Sequence, residues 1–279
     1  MPSLLSNRLA KRMLRPAFTL VEQRLERATT ALQADLDALH HEVADLRRQS
    51  YGLGLLLDQA GRDGHRMPTA TQLDALVREV VTVTGAADAD ARRDLTVAYR
   101  TVVALEALGV GRIAGSTSDV CGKLAAVPLL APPNGDVLEV GTLHGLFACA
   151  LLRMLHRADL APGLTIVDPL AREDVVRANL ALGGAGAAAE ARVERDRAGV
   201  PDRRYGVLVL AGDPAAASVL ADLKWAEELA AEGAVVVLDG HGDAARPGVN
   251  EALSQHLGGG GARLRLVGRV AGTAFLRAG

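Results

Sequence analysis

The sequence is short of aromatic residues, lysine, cysteine and net charge, and each shortage narrows what the chain can do. Aromatics make up 3% of 279 residues, so platforms on which bases or sugars stack are scarce. Lysine occurs only at Lys11, Lys123 and Lys224, leaving arginine to supply nearly all of the 31 basic residues. With so much Ala and Gly, this reflects coding bias rather than chemistry. The formal net charge of −2 lacks the basic excess of a general nucleic-acid binder. The two cysteines, Cys121 and Cys149, provide neither a disulfide framework nor a zinc pattern and fit a reducing, cytoplasmic compartment. No run of about 18 apolar residues exists, so no membrane span is expected. Arg8, Lys11, Arg12 and Arg15 interrupt the N-terminal leucines, which leaves no unbroken apolar core for a signal peptide. That stretch reads as a frayed basic tail or as an amphipathic surface helix.

What is present begins with 49% hydrophobic residues, enough for one sizeable core. From Phe18 the apolar positions run Val21, Leu25, Ala28, Leu32, Leu36, Leu39, Val43 and Leu46, in steps of three and four. This is a heptad seam with one stutter. It predicts either a coiled coil that makes a homodimer or a helix lying along its own domain. Gly52, Gly54, Gly61 and Gly64 then mark a joint. Three helices are expected next, opened by Thr69 or Thr71, by Asp88 and by Ser116–Ser118, the last ending at Ala126. The organisation predicted is an N-terminal helix over 1–50, a helical linker over 51–114 and a main domain over 115–279.

That main domain is organised around Asp136–Gly145, an apolar strand that runs into glycines and then into a helix. Such a turn brings backbone N–H groups close to a ligand. Strands are expected at Val137–Val140, Leu164–Val167, Arg192–Arg195, Val207–Leu210 and Ala234–Leu238, with helices between most of them. Two final strands, Arg263–Val267 and Thr273–Arg277, are joined by too few residues for a crossover and must pair antiparallel. The fold class is therefore α/β: a mixed, mostly parallel sheet covered on both faces.

Ligands of such sheets sit beyond the carboxyl ends of the strands. Those ends carry Glu139, Gly141, Thr142, His144 and Gly145; then Asp168; then Asp196; then Asp213; then Asp239, His241 and Asp243. Asp168 follows Gly145 by 23 residues, an offset at which an acid accepts the ribose hydroxyls of a nucleoside. It could equally cap the following helix. Gly141-x-x-x-Gly145 is not the dinucleotide fingerprint, and no phosphate-gripping lysine follows it.

DVLEVGTLHG at Asp136–Gly145 resembles the first motif of class I S-adenosylmethionine-dependent methyltransferases, and TIVDP at Thr165–Pro169 resembles their second. The subgroup most similar includes antibiotic-sugar O-methyltransferases and cephalosporin-hydroxylase-like methyltransferases. Its later motifs have counterparts in Leu208–Asp213, Ala231–Gly233, Val235–Gly240 and Arg246–Val249. The resemblance implies a Rossmann-like seven-stranded sheet and an S-adenosylmethionine site. Glu139, Gly141, Thr142 and Gly145 would line the methionine and ribose side, Asp168 the ribose, and Asp196 the adenine. Asp213 would stand nearby, and Gly115–Ser118 would reach the cofactor carboxylate. The reaction implied is methylation, at oxygen, of a small molecule or glycan.

The chain departs from that pattern. Ala211 and Gly240 stand where the subgroup carries magnesium-binding acids, which leaves Asp213 and Asp239 as a reduced Mg2+ pair. Pro214 stands where relatives carry a histidine. His241, in a glycine-flanked loop, is the best base for the acceptor proton, with Asp239 beside it; it could also be a loop histidine without a role. His144 reads as a turn residue, and His40, His41, His65, His156 and His256 receive no role. Two alternatives stay open: a methyltransferase fold kept as a dimerising scaffold, and, less favoured, a nicotinamide-dependent oxidoreductase.

Overall fold

The computed structural model describes residues 68–184 and 190–279, residue 65, and residues 24–25, 27, 29–36 and 39–40. The chain divides into two units, Met1–Leu57 and Asp58–Gly279. In the first, Leu25, Leu32, Leu36 and Leu39 of the heptad seam are helical and exposed. The other seam positions, the basic N-terminal stretch, the glycines of the joint and positions 185–189 lie outside the described residues. Among the described residues no helix is long and apolar enough to cross a membrane.

The second unit opens with α1 (Ala70–Thr84), α2 (Asp88–Leu108) and α3 (Thr117–Leu129). Thr69, not Thr71, caps α1 through reciprocal bonds with Gln72, which satisfies two amides the helix cannot. Ser116 and Asp119 open α3 in the same way. That helix runs past Ala126 and through Pro128. The proline is tolerated because it falls in the last turn, where it costs one ladder bond.

Strands and helices then alternate: β1 (Val137–Val140), α4 (Leu146–Arg157), β2 (Leu164–Val167), α5 (Glu173–Ala181), β3 (Arg192–Glu194), β4 (Tyr205–Leu210), α6 (Ala216–Leu229), β5 (Ala230–Asp239), α7 (Pro247–Gly258), β6 (Leu264–Val270) and β7 (Thr273–Ala278). The seven strands lie in the order β3-β2-β1-β4-β5-β7-β6. The first five are parallel, and β7 inserts antiparallel between β5 and β6. The expected sheet and its antiparallel ending are both present. Several strand bounds shift, and the start of β5 shifts most, from the expected Ala234 to Ala230. Ala231–Gly233, which precede the strand expected at Ala234–Leu238, lie inside β5. Gly233 has a φ of 75°, and the β4–β5 register shifts between Tyr205 and Val207, so a bulge takes up the extra residues.

The central strands are largely apolar on both faces, as buried parallel strands must be. Val137, Val207, Val209, Val235, Val237 and Phe275 pack with α1 to α5. Leu138, Leu208, Leu210, Val236, Leu238 and Leu276 pack with α6 and α7. The alternation puts Glu139 on the same face as Val137, towards α3 and α4. The strand order reverses at β1 and β4, and this is the place where open α/β sheets hold ligands.

Candidate active site

The turn after β1 cannot be built with ordinary residues. Gly141 has a φ of 79°, and a Cβ there would stand 2.6 Å from the Ala211 carbonyl oxygen. Leu143 follows with a φ of 56°, left-handed without glycine's freedom. Asp168, buried at the end of β2, holds this conformation. Its Oδ2 accepts bonds from the Thr142 and Leu143 amides at 3.0 and 3.1 Å. Its Oδ1 accepts the Leu170 amide at 2.8 Å. Asp168 therefore braces the turn, while α5 takes Arg172 as its N-cap with no side-chain bond. A carboxylate accepts about four hydrogen bonds, so Asp168 keeps capacity for a ligand hydroxyl.

Glu139 stands one step inside, 2% exposed. Burial pushes its carboxyl up to about 7; Thr142 and Lys123 oppose that rise, and Asp168 adds to it. Its Oε2 and the neighbouring Thr142 Oγ1 are buried, and neither has a hydrogen-bond partner within 3.5 Å, so the Thr142 hydroxyl acts on Glu139 only at longer range. Unsatisfied buried polar atoms are costly, and here they cluster at the glycine turn. The turn opens on a cavity of about 230 Å³ whose walls include Arg112, Lys123, Glu139, Thr142, Phe147 and Asp239. These residues fit a ligand with polar groups to satisfy, as S-adenosylmethionine has.

A second cavity of about 470 Å³ shares Asp239 and Arg246 with the first. Gly115, Ser116, His241, Asp243, Arg269 and Gly272 also line it. Ser116 is spent on the cap with Asp119, at 2.6 Å from its hydroxyl. The His241 Nδ1 is buried without a partner. Burial, then the charge of Arg269, lowers the pKa of His241, against a bond to the Asn250 side chain, which raises it. The ring is thus neutral near pH 7 and able to take a proton.

Asp213 and Asp239, the pair expected for magnesium, line one small cavity with Gly212, Pro214 and Arg246, but each carboxylate is already engaged. Asp213 is exposed and accepts from the Ala215 amide at 3.1 Å and the Ser218 hydroxyl at 2.7 Å, and those bonds hold its pKa down. The Asp239 Oδ1 is taken by Lys123 Nζ at 2.7 Å, and its Oδ2 meets Arg246 Nη1 at 3.5 Å. Among the described residues no three His, Cys, Asp or Glu could hold a metal ion together. Magnesium wants near-octahedral oxygen donors, and these residues do not fit it. Asp196 accepts the Ala198 amide at 2.9 Å and is exposed; it caps the turn at Arg197–Gly199 and lines neither cavity. A larger cavity, about 610 Å³ beside Cys149, Arg153 and Leu180, gathers none of the strand-end groups.

Several contributors escape sequence reading. Asn179 of α5 is 1% exposed and joins the turn to the segment before α3. It receives the Val110 amide at 2.9 Å and donates to the Val110 and His144 carbonyls at 2.9 and 2.7 Å. His144 packs at Gly111, where a Cβ would lie 2.4 Å from its ring; this agrees with its reading as a turn residue. His65, given no role, pairs with Glu106 at 2.8 Å and meets the Gly115 carbonyl at 3.2 Å. Glu106 in turn accepts the Ile113 amide at 3.0 Å. Burial opposes ionisation of Glu106, but its bonds to His65 and Ile113 bring its pKa down overall. A polar residue on an otherwise apolar helix face was the only readable sign of Asn179. Nothing local marked His65.

The family model described as a methyltransferase domain matches residues 138–240, the span from β1 to the end of β5. No curated protein matches the chain. Among solved structures, cofactor-bound Rv0187 from MTB is 21% identical, with 76% of this chain and 99% of that one covered and a TM-score of 0.44. The O-methyltransferase from Bacillus cereus in complex with SAH is 16% identical over 74% and 97% of the two chains, with a TM-score of 0.45. The O-methyltransferase TomG from Streptomyces achromogenes, involved in tomaymycin synthesis and bound to SAM, is 19% identical over 66% and 89%, with a TM-score of 0.42. At these scores the likenesses carry no residue roles. What the comparisons show of this chain is a match to a methyltransferase domain over residues 138–240.

Proposed function

We propose that the protein is an S-adenosylmethionine-dependent methyltransferase that acts on a hydroxyl of a small-molecule or glycan acceptor. The observation that carries this is the cluster of unpartnered buried atoms, Glu139 Oε2 and Thr142 Oγ1, at the glycine turn of a matched methyltransferase domain. Glu139, Gly141, Thr142 and Gly145 hold the cofactor along the turn, and Asp168 accepts a ribose hydroxyl with its remaining capacity. Asp196 and Asp213 belong to the outer, adenine side of this reading. The bound cofactor supplies an electrophilic methyl group. His241 takes the acceptor's proton through its free Nδ1, and Asp239 fixes the wall between the two cavities. The titration with calorimetry of S-adenosylmethionine and S-adenosylhomocysteine tests the reading. Both should bind, and Asp168→Ala should weaken each at least tenfold, since it removes a ribose acceptor and the brace of the turn together. Absence of binding to the wild-type chain refutes it.

A second reading, a binding module without catalysis, is favoured by Ala211 and Gly240 and by the spent carboxylate of Asp213. It predicts cofactor binding with no methyl transfer to any fraction of a cell extract. In either reading the exposed leucines of the N-terminal helix support a homodimer.

A further inference from the structure

Lys123 is one of three lysines in the chain and lies on α3 with its neighbours Val120 to Val127 buried around it. It is itself 3% exposed. A buried ammonium needs both a countercharge and hydrogen bonds. Asp239 supplies the countercharge at 2.7 Å, and the Phe147 ring lies 5.0 Å beneath Nζ, a favourable place for a cation. No other hydrogen bond of Nζ is found among the described residues. An ammonium has three donors, so N–H groups remain for whatever enters the cavity whose wall Lys123 forms. The acids that would recruit a divalent ion are missing at Ala211 and Gly240; of the two that remain, Asp213 is bonded to Ala215 and Ser218 and Asp239 is occupied by this ammonium.

We propose that Lys123 is the resident cation of the site. Its ammonium takes the place at Asp239 that a divalent ion would otherwise fill, and the site works without added metal. The inference rests on the methyltransferase reading for the identity of the ligand but not for the cation itself. A covalently attached single charge cannot be chelated away, and it leaves the cavity less positive than a divalent ion would. That suits a cofactor whose reactive sulfur is itself cationic.

Two measurements on the full chain decide it. Mn2+ is titrated to millimolar concentration and followed by electron paramagnetic resonance, with and without S-adenosylhomocysteine. No saturable uptake is expected. A saturable site that Mg2+ competes for and Asp239→Asn abolishes overturns the proposal. Separately, Lys123→Met keeps the length of the side chain and removes its charge, leaving Asp239 with only the more distant Arg246, at 3.5 Å, as countercharge beside the cavity. Its preference for the sulfonium of S-adenosylmethionine over neutral S-adenosylhomocysteine should rise about tenfold, and Lys123→Arg should restore the wild-type ratio. A purely structural lysine would weaken both ligands equally and leave the ratio unchanged, which also overturns it. If Lys123→Met does not fold, the Mn2+ titration of the wild-type chain decides alone. If neither cofactor form binds the wild-type chain, the functional reading fails, and the Mn2+ titration still judges the cation.

Discussion

At the scale of single residues, the site is governed by groups whose charge is in question. Glu139 is more easily protonated folded than unfolded, so it favours the folded state in acid. That contribution is complete below its ordinary value of 4.5 and disappears as pH rises towards about 7. Glu139→Gln should therefore flatten the fall in stability across that window. Above pH 7 the variant should be the more stable protein, by on the order of 3 kcal/mol at most. Urea denaturation at several pH values measures this; a parallel pH dependence in both proteins would refute the burial of an ionisable Glu139. His241 titrates with the opposite sense for function. Its pKa is lowered by burial and Arg269, so the basic form needed for proton transfer persists below pH 6.5. The acid limb of kcat/KM should lie below that value. His241→Asn should remove the limb and lower kcat by about a hundredfold or more; a retained limb assigns the proton to another group.

At the scale of elements, α5 acts as a clamp. Asn179 satisfies both backbone groups of Val110 and the carbonyl of His144. Asn179→Ala removes the partner of three part-buried backbone groups, each costing up to about 1 to 3 kcal/mol where water cannot reach. We expect a loss of about 3 kcal/mol in chemical denaturation and about tenfold weaker S-adenosylhomocysteine binding. Asn179→Asp should rescue neither, because its carboxylate would face two carbonyl oxygens; full rescue would show that the amide's donors do not matter. The elements themselves were largely legible, since alternating apolar runs and punctuating glycines carry their own period. The start of β5 was not, because Ala230 and Ala231 read equally well as the end of α6. The glycine turn was legible because its parts are neighbours in sequence. Lys123 and Asp239 are 116 residues apart, and Val110 and Asn179 are 69 apart. Contacts made only by folding leave no local pattern, so the cation and the clamp stayed hidden. The same holds for the acids considered for Mg2+: the sequence names Asp213 and Asp239 but not the groups already bound to them.

At the scale of the whole molecule, we assign the proposed homodimer to the N-terminal unit. Its exposed Leu25, Leu32, Leu36 and Leu39 have a seam's spacing, and deletion of residues 1–50 should turn a dimer into a monomer in sedimentation. An unchanged mass would assign the interface, if there is one, elsewhere. The second unit is joined across its length by its final hairpin. The Ala271 amide donates to Glu79 of α1 and the Gly272 amide to Asp119 of α3, both at 2.6 Å. A Cβ on Gly122 would come within 2.7 Å of Val270, and one on Gly268 within 2.8 Å of Val83. The helices made early in synthesis are thus covered by the strands made late. While the chain emerges from the ribosome, α1 and α3 wait with apolar faces open, and the core closes only after β6 has been released. Such long-range closure slows folding and prolongs exposure to aggregation. A nascent chain arrested before Leu264 would carry most of the cofactor site's residues and yet have no finished core to hold them.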